Sequence, residues 1–101
     1  MVDNVEKELE KLRKFRKEMD RKNHELFISL MASLQLAEIK HPVFATSFSE
    51  GCMRAMEELG EIAQAVNKGQ GAEREEAEVI DLLCVVWRLA RGDWQEAGNG
   101  R

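Results

Sequence analysis

Apolar residues recur every three or four positions along three long stretches of this chain, and a single proline, Pro42, interrupts them. This spacing places apolar side chains on one face of an α-helix. β-branched residues are few and tyrosine is absent, which disfavours strands. We therefore expect an all-α domain, whose 101 residues can bury only a limited core unless copies of the chain associate.

The first stretch carries an unusual density of charge. Residues 6–22 hold eight of the fifteen lysines and arginines, interspersed with acids. A basic arm for nucleic acid or phosphate is one interpretation. Because the signs alternate, and because the net charge of −4 gives no general reason to expect nucleic acid, we favour a salt-bridged helix that packs on a neighbour. Its narrow apolar stripe consists of Val5, Leu9, Leu12, Met19 and Leu26.

Local signals divide the rest of the chain. Residues 24–40 are expected to continue as helix, with a possible break near "DRKNHE", where Asp20 or Asn23 could cap a new start. The following "HPVFAT" is expected to be a connector, since a residue before proline disfavours helix. Ser47 and Glu50 form a capping box at the start of the second pattern, which ends in the glycine turn "NKGQG". The third pattern covers residues 72–91, and Gly92 is placed to end it.

We accordingly expect one domain with a charged N-terminal helix over residues 1–23, a core over 24–92 and a flexible tail over 95–101. The N-terminus is too highly charged for a signal peptide, and no apolar run is long enough to cross a bilayer. Cys52 and Cys84 lack metal-ligand or CxxC spacing and are expected to be reduced and buried. These features predict a cytoplasmic protein without a membrane partner.

An acidic residue in the third pattern requires explanation. The segment "EVIDLLCVVWRLA", residues 78–90, is apolar after Glu78 except for Asp81 and Arg88. Burying even a neutral polar group without a partner costs roughly 2–7 kcal/mol. Asp81 must therefore face water, pair with Arg88 or bind another partner.

Other carboxylates suggest what that partner is. At 100° per residue, Glu58 and Glu61 lie beside the apolar seam of the second helix, while Glu57 points further out. Glu78 and Asp81 form a second i,i+3 pair on the third helix. Two helices joined by a short turn pack antiparallel, so the pairs can face each other. Four converging acids repel one another without a cation, and an all-oxygen cluster suits Mg²⁺ or Mn²⁺.

The same residues carry a resemblance to a known family. "EELGE", residues 57–61, followed by "EVID", residues 78–81, resembles the EExxE…ExxD signature of the MazG-like, all-α nucleoside triphosphate pyrophosphohydrolases. The resemblance covers about residues 24–92. It implies a helical bundle completed by a dimer or tetramer, and Mg²⁺-dependent hydrolysis of a (deoxy)nucleoside triphosphate to a monophosphate and pyrophosphate.

The resemblance also implies roles for individual residues. Glu58, Glu61, Glu78 and Asp81 would be the metal ligands, and Glu57 would position or activate the attacking water. Cations near the motif are candidates to hold phosphate oxygens: Arg54, Arg74, Arg88, Lys40 and Lys68. Aromatic residues and a histidine could line a base pocket, although aromatics at helical spacing more often belong to the core: His41, Phe44, Phe27 and Trp87.

Two alternatives stay open at this point. A phosphoribosyl-ATP pyrophosphatase would share the helical arrangement of acids. A non-catalytic helical module that binds a partner or forms oligomers would use the same acids only for capping and solvation.

Overall fold

Residues 2–94 of the chain, as described by the computed structural model, form three α-helices and no strand. The helices are α1 (Val2–Lys40), α2 (Phe48–Asn67) and α3 (Ala72–Arg91). The prediction of an all-α fold is therefore confirmed. None of these helices is long and apolar enough to cross a membrane. The tail expected over residues 95–101 lies outside the described residues.

Helix α1 is continuous, so the new start that Asp20 or Asn23 could have capped is not formed. The stretch contains neither glycine nor proline, and ion pairs one turn apart span it. Arg21 Nη1 lies 2.9 Å from Glu25 Oε1, and a longer pair joins Lys22 to Glu18 at 3.7 Å. A capping residue must leave the helical conformation, and here the helix gains more by continuing.

The ends of α2 and α3 follow the local signals in the sequence. The backbone N–H of Glu50 donates to Ser47 Oγ at 3.1 Å, which caps the start of α2. Gly69 and Gly71, with φ of 62° and 95°, form the turn between α2 and α3. Gly92, with φ of 89°, ends α3 in the left-handed conformation.

The three helices form one layer with α3 in the middle. Within residues 2–94, α3 packs against both α1 and α2, while α1 and α2 do not pack on each other. Between α1 and α3 lie Leu30, Leu34 and Cys84. On the other side, Gly51 allows close approach, since an added Cβ would lie 2.6 Å from Leu89 Cδ1. The layer is open on both faces, and its radius of gyration of 19.0 Å exceeds the ~13 Å typical of a compact domain of this length.

Helices α1 and α3 run in the same direction, but α1 begins much earlier. Leu30 lies beside Cys84, and Glu38 Oε2 lies 2.6 Å from Arg91 Nη2. The first residue of α3, Ala72, shares a groove with Lys22 of α1. Residues 3–21 of α1, called the N-terminal arm below, thus extend past the start of α3.

Candidate functional site

Three carboxylates from two helices converge on one side of the layer. Glu58 of α2 and Glu78 and Asp81 of α3 each place one oxygen within 4.8 Å of the others. The short glycine turn makes α2 and α3 antiparallel neighbours, and the i,i+3 spacing of Glu78 and Asp81 puts both on adjoining turns of α3. The cluster therefore follows from the spacing of the acids and from the packing of α2 on α3.

Burial leaves part of this cluster without hydrogen bonds. The side chain of Glu78 is buried, and its Oε1 lies 2.5 Å from Arg74 Nη2. Its Oε2, like the Oε2 of Glu58, is buried and has no hydrogen-bond partner within the described part of the chain. A buried acceptor left unpaired costs about 1–3 kcal/mol, so these two oxygens are available to a ligand that brings positive charge or a donor.

Crowding and burial raise the pKa values of two carboxyls in the cluster. Desolvation by burial, followed by the charge of Glu61 and of Asp81, raises the pKa of the Glu58 carboxyl from 4.5 to about 7. Desolvation and the neighbouring Glu78 also raise the pKa of Asp81, although Arg74 and Lys40 oppose this effect. Repulsion among the acids is therefore only partly neutralised by the cations of the chain.

The other two acids of the motif lie at the edge of the cluster. Glu61 is exposed and lies close enough to Glu58 to hydrogen-bond with it, but it is not one of the three converging carboxylates. Glu57 is exposed and lines the adjacent cavity. The structure thus brings together three of the four acids predicted as metal ligands, with the fourth beside them and Glu57 on the cavity wall.

A cavity of about 370 Å³ opens next to the acids. It lies between the C-terminal half of α1, the connector, and helices α2 and α3. Its lining includes the acids Glu57, Glu58 and Asp81, and the other lining residues are cationic, aromatic, aliphatic and small: Ser33, Leu36, Ala37, Lys40, His41, Phe44, Arg54, Cys84, Val85 and Arg88. A molecule in this cavity would have both carboxylates and positive charge within reach.

Arg88 does not pair with Asp81. Its guanidinium is buried and donates to Asp93 Oδ2 at 3.1 Å and to the carbonyl oxygen of His41 at 2.8 Å. It also stacks 5.2 Å from the centre of the Phe44 ring. Arg88 therefore anchors the connector to the end of α3 and forms part of the cavity wall in a fixed position.

The remaining cations differ in their relation to the site. Lys40 and Arg54 are exposed and line the cavity, with Arg54 Nη2 only 3.7 Å from Glu50 Oε1 in a solvent-accessible pair. Arg74 lies outside the cavity wall but is bound to Glu78. Lys68 follows the end of α2 and does not line the cavity. The structure thus places Lys40, Arg54 and Arg88 around the cavity, Arg74 within the acid cluster, and Lys68 away from both.

Of the four residues that the sequence suggested for a base pocket, the two in the connector line the cavity. His41 and Phe44 line the cavity, as a base pocket would require, whereas Phe27 and Trp87 do not. Asp93 was not identified from the sequence, yet it binds both Arg88 and Arg91. Its position directly after the helix-ending Gly92 was the available signal, because a residue there can reach back to cations in the last turn.

The two cysteines are free thiols. Cys84 is buried and lines the cavity, and Cys52 is half-buried. Desolvation raises the pKa of the Cys84 thiol, with a further contribution from Asp81. Both effects disfavour the thiolate, which is the nucleophilic form of cysteine.

Comparison of the chain with family models, with curated proteins and with solved structures finds no match.

Proposed function

We propose that this protein hydrolyses a (deoxy)nucleoside triphosphate to the monophosphate and pyrophosphate with the help of Mg²⁺ bound at the acid cluster. The observation that carries the proposal is the convergence of Glu58, Glu78 and Asp81 beside a cavity with cations on its wall. Phosphoryl substitution needs positioning and charge stabilisation more than covalent participation by the protein. A site that combines carboxylates with cations suits that chemistry.

The residues present fit a divalent metal ion. All donors are carboxylate oxygens, which Mg²⁺ and Mn²⁺ prefer. Two of these oxygens are buried without a hydrogen-bond partner within residues 2–94, and a cation would satisfy both. Glu58, Glu78 and Asp81 would hold the ion, and Glu61 is near enough to Glu58 to join them. A bound ion supplies charge neutralisation to the triphosphate and lowers the pKa of a coordinated water.

The residues of the cavity would bind and orient the substrate. Lys40 and Arg54 extend from opposite helices into the same space and can hold phosphate oxygens. Glu57 lines the cavity without belonging to the converging acids, so it can accept a proton from water there. His41 and Phe44, held by Arg88, offer a surface for a base.

We propose a homo-oligomer on separate grounds. A helical layer ordinarily packs on a second layer that covers its apolar face. The exposed faces of α2 and α3 carry large apolar side chains that such a layer would cover: Phe48, Met56, Leu59, Val66, Val79, Val86 and Trp87. At 100° per residue, those of α2 lie on the flank of the helix opposite Glu57 and Glu61. A second copy packed on this side would bury apolar surface and leave the acids accessible.

An assay of pyrophosphate release tests the enzymatic proposal. A panel of canonical and modified nucleoside triphosphates, with phosphoribosyl-ATP included, is incubated with the protein in Mg²⁺ and in EDTA. We expect release from at least one nucleoside triphosphate in Mg²⁺ only, and none from Asp81→Asn. Activity confined to phosphoribosyl-ATP would favour the related pyrophosphatase. The same lack of activity in Mg²⁺ and in EDTA across the panel would favour the non-catalytic module.

A further inference from the structure

The N-terminal arm presents an apolar stripe that nothing in the described structure covers. Every residue from 3 to 18 is exposed. Four large apolar side chains of the arm are 45–63% exposed, namely three residues of the stripe and the nearby Phe15: Val5, Leu9, Leu12 and Phe15. Ion pairs one turn apart, such as Lys11 with Glu8 at 3.4 Å and Arg13 with Glu10 at 3.5 Å, support the helix on its polar sides.

The arm extends beyond the helices that it could pack on within the described structure. Because α3 begins beside Lys22, about 20 residues or roughly 30 Å of helix project beyond the layer. Most of the stability of helices in proteins comes from packing an apolar face, and the stripe of the arm packs on nothing within residues 2–94. A surface on another molecule would supply that packing.

A groove on the same chain has the complementary character. It lies where the arm joins the layer, between α1 and the first turns of α3, and has a volume of about 500 Å³. Its floor is apolar, with Leu26, Val79 and Ile80. Its charged lining consists of three acids, Glu25, Glu75 and Glu76, and one base, Lys22, and we refer to these residues as the rim. A basic helix with an apolar stripe would bury the stripe on this floor and pair with the rim.

The distribution of charge favours the arm of a second copy as the occupant. The arm carries seven basic and six acidic side chains, and the remainder of the chain carries eight basic and thirteen acidic. The arm is therefore net positive and the rest of the chain strongly negative. Association of arm with groove brings unlike charges together, whereas packing of two acidic layers alone does not.

We infer that the arm of a second copy occupies this groove, with the two α1 helices antiparallel and each arm in the groove of the other copy. The same contact is then made twice about a two-fold axis, as a closed dimer requires. A parallel pairing would place arm beside arm and leave both grooves empty. The inference concerns assembly and does not depend on the hydrolytic activity.

The apolar stripe sets the register of the antiparallel pair. Val5, Leu9, Leu12, Met19 and Leu26 occupy the a and d positions of a heptad pattern. Leu9 of one copy opposite Leu26 of the second copy places the stripe over the apolar floor of the groove. In this register Arg13 and Asp20 of the second copy occupy flanking e positions of the seam, about two residues or roughly 3 Å apart along the axis, where opposite charges attract.

Cysteine cross-linking of the full-length chain tests this geometry. Leu9→Cys/Leu26→Cys is treated with a short bismaleimide, and covalent dimers are counted on a denaturing gel. We expect dimers from this double variant and none from Leu9→Cys alone. The two positions within one copy are 17 residues, or roughly 25 Å, apart on the helix, so a short reagent cannot join them. The matched control is Lys7→Cys/Ile28→Cys, which lies at the same levels on the opposite side of α1, and it should not cross-link above the unsubstituted protein.

Each other outcome overturns the inference in a distinguishable way. Dimers from Leu9→Cys alone would show a parallel pairing of arms. Absence of cross-links in the double variant, with sedimentation still giving a dimer, would place the second copy elsewhere, such as on the apolar faces of α2 and α3. A folded monomer at micromolar concentration would refute both the arm contact and the proposed oligomer.

Charge reversal supplies a second test that does not depend on a reagent. Glu75→Lys/Glu76→Lys should weaken self-association at least tenfold, and Arg13→Glu/Arg16→Glu, which reverses two arm residues beside the stripe, should do the same. Mixing the two variants should restore association as a heterodimer, because both arm–groove contacts in the mixed pair again join opposite charges. Self-association that is unchanged in both variants, or that mixing does not restore, would overturn the inference.

Discussion

Arg74 binds one oxygen of the buried Glu78 carboxylate at 2.5 Å and leaves the other oxygen without a hydrogen-bond partner within residues 2–94. A single arginine therefore compensates Glu78 only in part. Glu58 and Asp81 each place a carboxylate oxygen within 4.8 Å of one on Glu78, and their charges make the need for a cation greater. This relationship motivates the predictions on metal binding.

Asp81→Asn removes one charge from the cluster and keeps nearly the same shape. Without Mg²⁺ we expect the variant to melt at the same temperature as the parent or higher, because repulsion is relieved. Added Mg²⁺ should stabilise the parent by mass action, by about 2.7 kcal/mol at a concentration 100 times the Kd, and the variant much less. Thermal melts with and without Mg²⁺ measure both effects.

Glu73→Gln is the matched control for that comparison, since it removes an exposed acid from the same helix outside the cluster. It should leave the response to Mg²⁺ unchanged. A loss of stability in Asp81→Asn that is the same with and without Mg²⁺ would contradict a metal role for this carboxylate.

The raised pKa of Glu58 predicts how the stability of the metal-free protein depends on pH. The folded state retains a proton that the unfolded state loses above its pKa of 4.5, so the free energy of unfolding should fall as the pH rises from about 4.5 to about 7. Allowing for solvent screening, we expect a loss of the order of 1–2 kcal/mol. Denaturant titrations at several pH values in EDTA would measure this slope.

Glu58→Gln should make that slope smaller without abolishing it, because the raised pKa of Asp81 contributes a slope of the same sign. Asp93, whose hydrogen bonds with Arg91 lower its pKa, is ionised throughout this window and does not contribute to it. Saturating Mg²⁺ should reverse the trend in the parent, since the ion competes with the proton for Glu58. A slope as steep in Glu58→Gln as in the parent would assign the titration to another group.

Glu57→Gln separates proton transfer from metal binding. Glu57 lines the cavity but is not one of the converging carboxylates, so the Mg²⁺-dependent rise in melting temperature should be preserved. Turnover should fall by about 10²- to 10⁴-fold if Glu57 accepts the proton of the attacking water. Glu58→Gln should instead lose the response to Mg²⁺ as well as activity. Loss of the Mg²⁺ response in Glu57→Gln would make Glu57 a metal ligand.

Two arginines on the cavity wall should behave differently. Replacing buried Arg88 with methionine leaves the carbonyls of His41 and Pro42 without their donor and should cost about 2–4 kcal/mol, with or without Mg²⁺. Replacing exposed Arg54 with methionine removes a long surface ion pair and a contact 6.0 Å from the centre of the Phe44 ring, and should cost about 1 kcal/mol or less. Arg54→Met should instead raise KM for the triphosphate. An unchanged KM would exclude Arg54 from phosphate binding.

The helices and their ends could be predicted from the sequence because they depend on short-range interactions. The spacing of apolar residues, the Ser47 cap and the left-handed Gly92 act within one or two turns. The short glycine turn also requires α2 and α3 to be antiparallel, which brings the acids of the two helices to the same level. The sequence left open whether the helix continues past Asp20 and Asn23 or breaks there, because a capping residue permits a break without requiring one.

Only the tertiary structure decided which acids meet and what Arg88 binds. Periodicity gives the angle of a residue on its own helix but not the rotation of that helix against its neighbours. Packing of α3 between α1 and α2 turns Glu58, Glu78 and Asp81 toward one point and leaves Glu61 at the edge. Arg88, seven residues from Asp81 in sequence, binds carbonyls 46 and 47 residues away in the connector, because burial beside α1 leaves those acceptors within its reach. Such long-range pairings depend on how whole helices pack, and local sequence patterns do not contain that information.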